Sequence, residues 1–501
     1  FFTYTYDSRQ RMIEKQVPGK EKEYLIYDRQ DRIVATQDGE LRKENKWLYS
    51  KYDALGREVM TGLIVDARER ESLQKELTEN FPDNQVRATG NRKKISFGDK
   101  IVSKSNDSYK QYVAKTPITL KPGFRLKPTN QKSFAGRTGK VEKQEKSGFP
   151  AHQGDVLTQS YYDSYEATPA GSFKGRPGFP RPSTNIKGLL AAQKVKNLSS
   201  GKMYTTTFFY DDKGRVIQTL EEHHLGGTVR ISLDYNFEGQ LTATFTEFNT
   251  PGNYTIAKQY DYNLSGLLSG ISHRINDGPT IELVRYGYNE LGEKTTVTFP
   301  EADASLSYTY SIRGWLKEMG SPSPQLFQMS LKHQETGRRW DGNITQADWR
   351  GKDGVDRRYA YSYDNTGRIT AANYRVPSLP AENARYSLSN MRYDENGNLK
   401  TMTRRGQLSS DNYRVVNNLE YFYASDPVFG EYSNQLIRVR DQNPSQKKAA
   451  TDAKTAGNYT YDANGNQISQ PDKQLNSISY NHLNLPKTMI LSSGEQMQYT
   501  Y

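Results

Sequence analysis

The residues equipped for chemistry are few, and most point away from an active site. The chain of 501 residues has no cysteine, which removes thiol nucleophiles, thiolate metal sites and a disulfide framework together. Its six histidines are His152, His223, His224, His273, His333 and His482, and none stands in a His-Glu-x-x-His pattern. His223-His224 follows Glu221-Glu222, a suggestive run for a metal. Neighbours on a strand point to opposite faces, however, and cannot share an ion without a turn. Gly136-Arg137-Thr138-Gly139-Lys140 lacks the glycine spacing of a phosphate-binding loop, and no Gly-x-Ser-x-Gly elbow or Gly-x-Gly-x-x-Gly fingerprint occurs. Trp47, Trp315, Trp340 and Trp349 suit sugar stacking or buried anchoring, and anchoring is the commoner use. The carboxylates are numerous, yet nothing singles out a glycosidase-like pair among them. The expectation is a chain that is no enzyme and takes no metal and no cofactor.

One chemically interesting pair, Tyr–Asp, recurs too often to be catalytic. The pattern is aromatic-x-Tyr-Asp-x-x-Gly-Arg/Asn-aliphatic. Copies stand at Tyr6-Asp7, Tyr27-Asp28, Tyr52-Asp53 with Gly56, and Tyr210-Asp211 with Gly214. Others follow at Tyr363-Asp364 with Gly367, Tyr393-Asp394 with Gly397, and Tyr461-Asp462 with Gly465. Looser copies surround Tyr235, Tyr262, Tyr288, Tyr310 and Tyr480, with Asn or Ser in place of Asp. Successive tyrosines 210, 235, 262, 288 and 310 are 25, 27, 26 and 22 residues apart. The 53-residue step to 363 fits two units, with a degenerate copy near Trp340-Asp341-Gly342-Asn343-Ile344. Active sites are singular and scaffolds are periodic, so these residues are assigned a structural role.

The element that positions them is a β-hairpin. Tyr-x-Tyr puts two rings on one face of a strand. Asp caps a turn by accepting main-chain N–H bonds, Gly supplies the positive φ of a tight turn, and Arg/Asn-aliphatic begins the return strand. A lone hairpin is barely stable in water, so neighbours must stack edge to edge. The fold class is therefore all-β, with hairpins forming one curved or spiral sheet. At about 4.8 Å per strand, a dozen or so units give about 120–140 Å of sheet width. Closed in one turn this is a tube about 40–45 Å across, too wide for side chains to fill.

The apolar fraction is 34% and the mean hydropathy −0.89, but 36 tyrosines and 18 phenylalanines argue for a folded, Tyr-built chain over a disordered one. Repeats cover 1–62 and 201–501, and 63–200 is an insertion. It opens with a short helix over 67–80 that sets Leu73 and Leu77 on one face, stopped before Pro82. A Gly/Pro-rich loop, 167–188, lies between strands near Val156–Tyr162 and Leu189–Val195. Residues 85–150 hold 16 Lys+Arg against four acidic residues, and the rest of the chain is balanced at 53 of each. The alkaline pI thus belongs to this segment. Arg92, Lys93, Lys94, Lys121, Arg125 and Lys127 are its candidate contacts for an anionic partner such as cell-envelope polyanions or secretion machinery. A solvated surface excursion is the plainer alternative, and nucleic acid is disfavoured because no recognition fold accompanies the charge. No apolar run is long enough to span a bilayer.

The repeat motifs resemble the RHS/YD-repeat family, which includes bacterial RHS polymorphic toxins, the C component of Tc insecticidal toxins and the teneurin adhesion receptors. Tyr27-Asp28-Arg29-Gln30-Asp31-Arg32, Asn45-Lys46-Trp47-Leu48 and Lys213-Gly214-Arg215-Val216-Ile217-Gln218-Thr219 are most similar to Bacteroidota RHS proteins. The resemblance implies a hollow spiral shell around a C-terminal toxin or the shell's own C-terminus. It also implies secretion or display at the bacterial surface, with type IX export for the Bacteroidota branch. The family's self-cleaving aspartyl core has no match in these residues and is expected beyond Tyr501. With Phe1 lacking an initiator Met and Tyr499-Thr500-Tyr501 stopping where the next Asp should stand, the chain reads as an excerpt cut in mid-repeat. The expected role is a non-catalytic wall around a polypeptide cargo that lies outside this chain. The alternative is a surface adhesin that uses the basic insertion.

Overall fold

The computed structural model describes residues 2–79, 87–88, 145–146, 149–150, 154–167, 171–321, 327–333, 341–425, 432–443 and 458–501. It is all-β, as the repeat requires: 26 strands form one sheet, and every ladder in it is antiparallel. Each strand pairs with the next along the chain, from Thr3–Tyr6 to Tyr432–Asp441. Where the chain leaves the sheet, Glu58–Val65 pairs directly with Asp155–Tyr162, so the ladder runs on past the excursion. Leu190–Lys196 then joins Asp155–Tyr162 to Met203–Tyr210, which places these two segments of 63–200 within the sheet. Two smaller sheets, Thr460–Tyr461 with Gln467–Ser469 and the three strands Leu475–Tyr480, Pro486–Leu491 and Gln496–Gln498, continue the hairpin pattern.

Register gives the two faces of the sheet opposite characters. On one face the directly opposed residues are Ile256 with Ile275, Tyr286 with Val297, Tyr308 with Met319, Met329 with Trp349, and Tyr359 with Tyr374. On the other they are Gln259 with Ser272, Thr296 with Ser307, Thr309 with Glu318, Asp348 with Arg358, and Glu420 with Arg440. Most ring-face side chains are only half-buried, although Val284, Val297, Ala372 and Tyr374 are buried by their neighbours. A second layer over this region would bury alternate residues throughout. Over the described residues between 281 and 443 the wall is therefore one sheet thick.

The chain's own insertion covers the other face where it is apolar. Helix Arg70–Glu79 buries Leu73 and Leu77 with Ile26, Trp47, Tyr49, Met60 and Phe149. Its Gln74 amide bonds both main-chain groups of Tyr27, at 3.0 and 2.8 Å. Farther along that face the strap 171–183 is held by Gln218, whose amide accepts from Lys174 N–H at 3.1 Å and donates to its carbonyl at 2.9 Å. Phe173 packs edge-on against Phe209. Beyond the strap the opposed pairs of that face are mainly polar.

Candidate functional site: the repeat turn and the seam

Every strong copy of the motif builds the same turn. Asp211 shows it: Oδ1 accepts the N–H groups of Lys213 and Arg215, both at 2.9 Å, while Oδ2 accepts Arg215 Nε at 2.7 Å. The Asp211 N–H donates to the Arg215 carbonyl and Gly214 N–H returns to the Asp211 carbonyl, with Gly214 at φ +77°. Asp7, Asp28, Asp53 and Asp364 hold Arg11, Arg32, Arg57 and Arg368 in the same way at 2.6–2.7 Å. Asp394 and Asp462 hold Asn398 and Asn466 through their amides, both at 2.9 Å. In looser copies Asn236 keeps the main-chain acceptor and pairs with Gln240 at 2.6 Å. Burial raises the carboxyls of Asp7, Asp53 and Asp211, but the N–H groups and guanidinium around each outweigh it and hold them below the usual carboxylate range.

The motif tyrosines lock one repeat to the one before. Tyr27, Tyr52, Tyr210, Tyr235, Tyr288, Tyr363 and Tyr393 donate their hydroxyls to the carbonyls of Met12, Ile33, Leu190, Val216, Leu268, Ile344 and Ile369, at 2.6–2.9 Å. Tyr461 does the same to Leu436. The turn arginine then lies over the next tyrosine, as Arg32 does over Tyr52 at 4.7 Å and Arg215 over Tyr235 at 4.7 Å. Tyr6 stands on the first strand, largely exposed, next to the Asp7 turn. Burial pushes the phenols of Tyr27, Tyr52, Tyr210, Tyr235 and Tyr288 above their ordinary value.

Two members of this scheme lie outside the repeating sequence pattern. Tyr162 donates to the Glu58 carbonyl at 3.1 Å, and Asp163 takes Arg57 in a two-bond pair at 2.8 and 2.6 Å. The signal was present as Tyr161-Tyr162-Asp163, but the long loop that follows hides the glycine. Asp341 and Gly342, at φ +86°, occupy a turn in the expected degenerate copy, and Tyr363 bonds Ile344 behind it.

Because the strands alternate in direction, all motif turns lie on one edge of the ribbon and the other loops on the opposite edge. Late in the chain these two edges meet. The motif turn at 462–466 sits on helix Gly39–Lys43, whose N-cap is Asp38. Glu40 accepts the Ala463 N–H at 2.7 Å, Asn464 Oδ1 accepts the Glu40 N–H at 3.2 Å, and Asn464 Nδ2 donates to Asp38 at 2.8 Å. Glu21 N–H donates to the Ala463 carbonyl at 2.9 Å. Gly39 is required here, since a Cβ on it would stand 2.7 Å from that of Ala463. Farther along the seam Leu198 N–H donates to the Tyr501 carbonyl at 3.0 Å. Burial pushes the His482 imidazole, in the next motif turn, below its usual value, with the charges of Asp155, Asp38, Lys46 and Lys196 acting around it.

Glu40 and Asn464, residues 424 positions apart, are thus hydrogen-bonded to each other, and between them the chain runs through the large sheet as far as Tyr432–Asp441 and then into the small sheet Thr460–Tyr461 with Gln467–Ser469. Roughly two dozen strands at about 4.8 Å give a circuit of about 110 Å, hence a bore about 35 Å across if round. The ribbon is an open spiral whose motif-turn edge stacks on its loop edge, and among the described residues no ladder closes it into a barrel.

The remaining candidates carry less. His223 and His224 stand in a turn and not on a strand, because the strand ends at Glu222 and Gly226-Gly227 reverse the chain. Their rings are 4.4 Å apart, which overturns the expectation of opposite faces. Among the described residues no group of three or more His, Asp or Glu could hold a metal. Trp47 is fully buried, Trp315 packs on His333, and Trp349 stacks on Tyr359. Trp340 and the six basic candidates Arg92, Lys93, Lys94, Lys121, Arg125 and Lys127 lie outside the described residues. Among the described residues no helix is long and apolar enough to cross a membrane.

No protein-family model and no curated protein matches the chain. Among solved structures it is similar to a chain in the crystal structure of TcdB2-TccC3-Cdc42, at 11% identity and a TM-score of 0.48, over 100% of this chain and 20% of that one. It is similar to a chain of the Tc holotoxin pore of Photorhabdus luminescens at 13% identity and a TM-score of 0.27, over 99% of this chain and 24% of that one. A porin-like protein from Bacteroides uniformis matches 45% of this chain and 84% of its own length, at 13% identity and a TM-score of 0.15. The chain spans about a fifth of the length of the first of these.

Proposed function

We propose that this chain is a non-catalytic wall segment of a secreted shell that encloses a polypeptide, a toxin in the branch its repeats resemble. The observation that carries the proposal is the seam: the ribbon returns to its own start after about 110 Å and stacks there through specific bonds. Such a wall confines by topology, because a chain inside it can leave only along the bore. The ring face is the one assigned to the interior. An uncovered belt of rings and aliphatics turned outward would be an aggregation liability, whereas the polar face has its apolar zones covered by the helix and the strap. The interior is then mixed in polarity, since Lys258, His273 and Arg357 share the face with the rings.

The absence of cysteine makes a clean test available. Single cysteines at Thr309 and Ser307 on the polar face should react with both a small maleimide and a polymer-linked maleimide wider than the bore. Cysteines at Tyr308 and Met319 on the ring face should react with the small reagent alone. Equal labelling of both faces by the bulky reagent would defeat the enclosure reading. The concentration of the chain's whole basic excess in 85–150 favours a second reading, an adhesin for anionic partners. It predicts salt-sensitive retention on heparin that disappears when 85–150 is deleted.

A further inference from the structure

Asn-Gly occurs twice in the sequence, as Asn396-Gly397 and Asn464-Gly465, each time inside a motif turn. This pair is chemically labile, because glycine has no Cβ to keep its main-chain nitrogen away from the preceding side-chain carbonyl. The two turns share one backbone. Gly397 N–H donates to the Asp394 carbonyl at 3.1 Å and Gly465 N–H to the Asp462 carbonyl at 3.0 Å, with φ at +88° and +78°. Their surroundings differ. Asn396 is exposed, and Gly397 has open space where a Cβ would stand. Asn464 is 6% exposed, and a Cβ on Gly465 would stand 3.0 Å from the Gly19 carbonyl oxygen. Both polar atoms of the Asn464 amide are engaged: Oδ1 accepts the Glu40 N–H at 3.2 Å, and Nδ2 donates to Asp38 at 2.8 Å and to Asn484 at 3.0 Å. Only a donor suits that place. An oxygen there would face the Asp38 carboxylate and the Asn484 carbonyl with no proton to offer.

We infer that Asn464 is a deamidation site that the closed seam protects, and that its conversion makes opening of the seam irreversible. The step consumes only water. The Gly465 main-chain nitrogen gives up its proton to solvent and bonds to Asn464 Cγ, and the side-chain amide leaves as ammonia. Water then opens the five-membered imide at either carbonyl, leaving a carboxylate at position 464 on a main chain of normal length or one methylene longer. In the closed seam three side-chain bonds fix Cγ, the Gly465 proton is held by Asp462, and burial keeps water out. Opening the seam removes the first and third of these protections. After conversion two donor bonds are gone and like charges oppose each other at Asp38. The longer product also breaks the spacing by which Asp462 accepts the Asn466 N–H at 2.7 Å. None of this requires anything to be enclosed.

Incubating the chain at mildly alkaline pH and reading each peptide by mass spectrometry tests the protection. Asn464 should convert at least about tenfold more slowly in the folded chain than in the urea-denatured one, because reaction runs through the opened seam. Gly39→Val should recover most of that rate while changing Asn396 less than about twofold. Equal rates at Asn464 in folded and denatured chain, or a rise at Asn396 as large as that at Asn464, overturn the assignment of protection to the seam. Irreversibility is tested by Asn464→Asp, which should speed exchange of the Glu21 and Ala463 amides at least about tenfold while the Asp211 turn stays protected. Adding Asp38→Asn should restore part of that protection, since position 38 then donates to the carboxylate and an asparagine still caps the helix. An Asn464→Asp chain whose Glu21 and Ala463 amides exchange as slowly as wild type overturns the latch.

Discussion

Replacing Asp211 tests whether the repeat turn works by the bonds described. Its carboxylate accepts two main-chain N–H groups at 2.9 Å and the Arg215 guanidinium at 2.7 Å. Asp211→Ala loses all three. The main-chain bonds are worth about 1 kcal/mol each. The charged bond would reach about 1.5–3 kcal/mol in full, but the guanidinium is 27% exposed, which keeps it near the lower end. The loss should total about 3.5 kcal/mol. Asp211→Asn keeps the main-chain acceptor and turns an amide N–H toward Arg215, and should cost about 1.5 kcal/mol. The chain already contains the remedy, for Asn236 pairs with Gln240 at 2.6 Å in the equivalent turn. Asp211→Asn combined with Arg215→Gln should therefore lose about 1 kcal/mol less than the two single changes added together. The assay is hydrogen exchange at the Lys213 and Arg215 amides, because a ribbon of repeats need not unfold in one step. Strict additivity, with those amides exchanging no faster in the Ala variant, would refute the account of the turn.

Other expectations follow from the same geometry. Tyr288→Phe removes the hydroxyl bond to Leu268 at 2.7 Å and should cost about 1 kcal/mol, read as faster exchange in the strand Leu268–Ile275. Gly39→Val drives a side chain into Ala463 and should open the seam, raising exchange at Glu21 and Ala463 while the Asp211 turn stays protected. The folded-state carboxyls of Asp7, Asp53 and Asp211 lie below their unfolded value, so their stabilisation is complete above about pH 5 and is lost as pH falls through the folded values. Denaturation midpoints measured between pH 7 and pH 3 should fall only at the acid end. The motif phenols are raised, so their contribution is complete below about pH 10 and is lost as pH rises. Spectroscopic titration should show the phenols of the folded chain ionising later than those of the denatured chain.

The recurrence of Tyr-Asp-x-x-Gly-Arg was enough to specify the hairpin, its turn and the sharing of a face by Tyr-x-Tyr, because each of those bonds spans five residues or fewer. It was not enough to find Tyr162-Asp163, where a long loop replaces the turn, or to foresee that the strand ahead of His223 ends one residue early. Nor did it show that Asp38, Gly39 and Glu40 matter, since nothing in that short helix resembles the repeat. Their role exists only because Ala463 and Asn464 arrive there from more than 400 residues away.

The sequence by itself determined the unit, since an Asp acceptor and a positive-φ glycine at fixed spacing specify the turn and Tyr-x-Tyr specifies the face; the hydroxyl bonds that tie each tyrosine to the repeat before it came only with the structure. Only the tertiary structure decided where the ribbon meets itself, which tips are covered and which are bare, and which apolar patches the insertion protects. Bore and pitch are sums of small rotations over some two dozen strands. No single residue carries enough of that sum for it to be read locally.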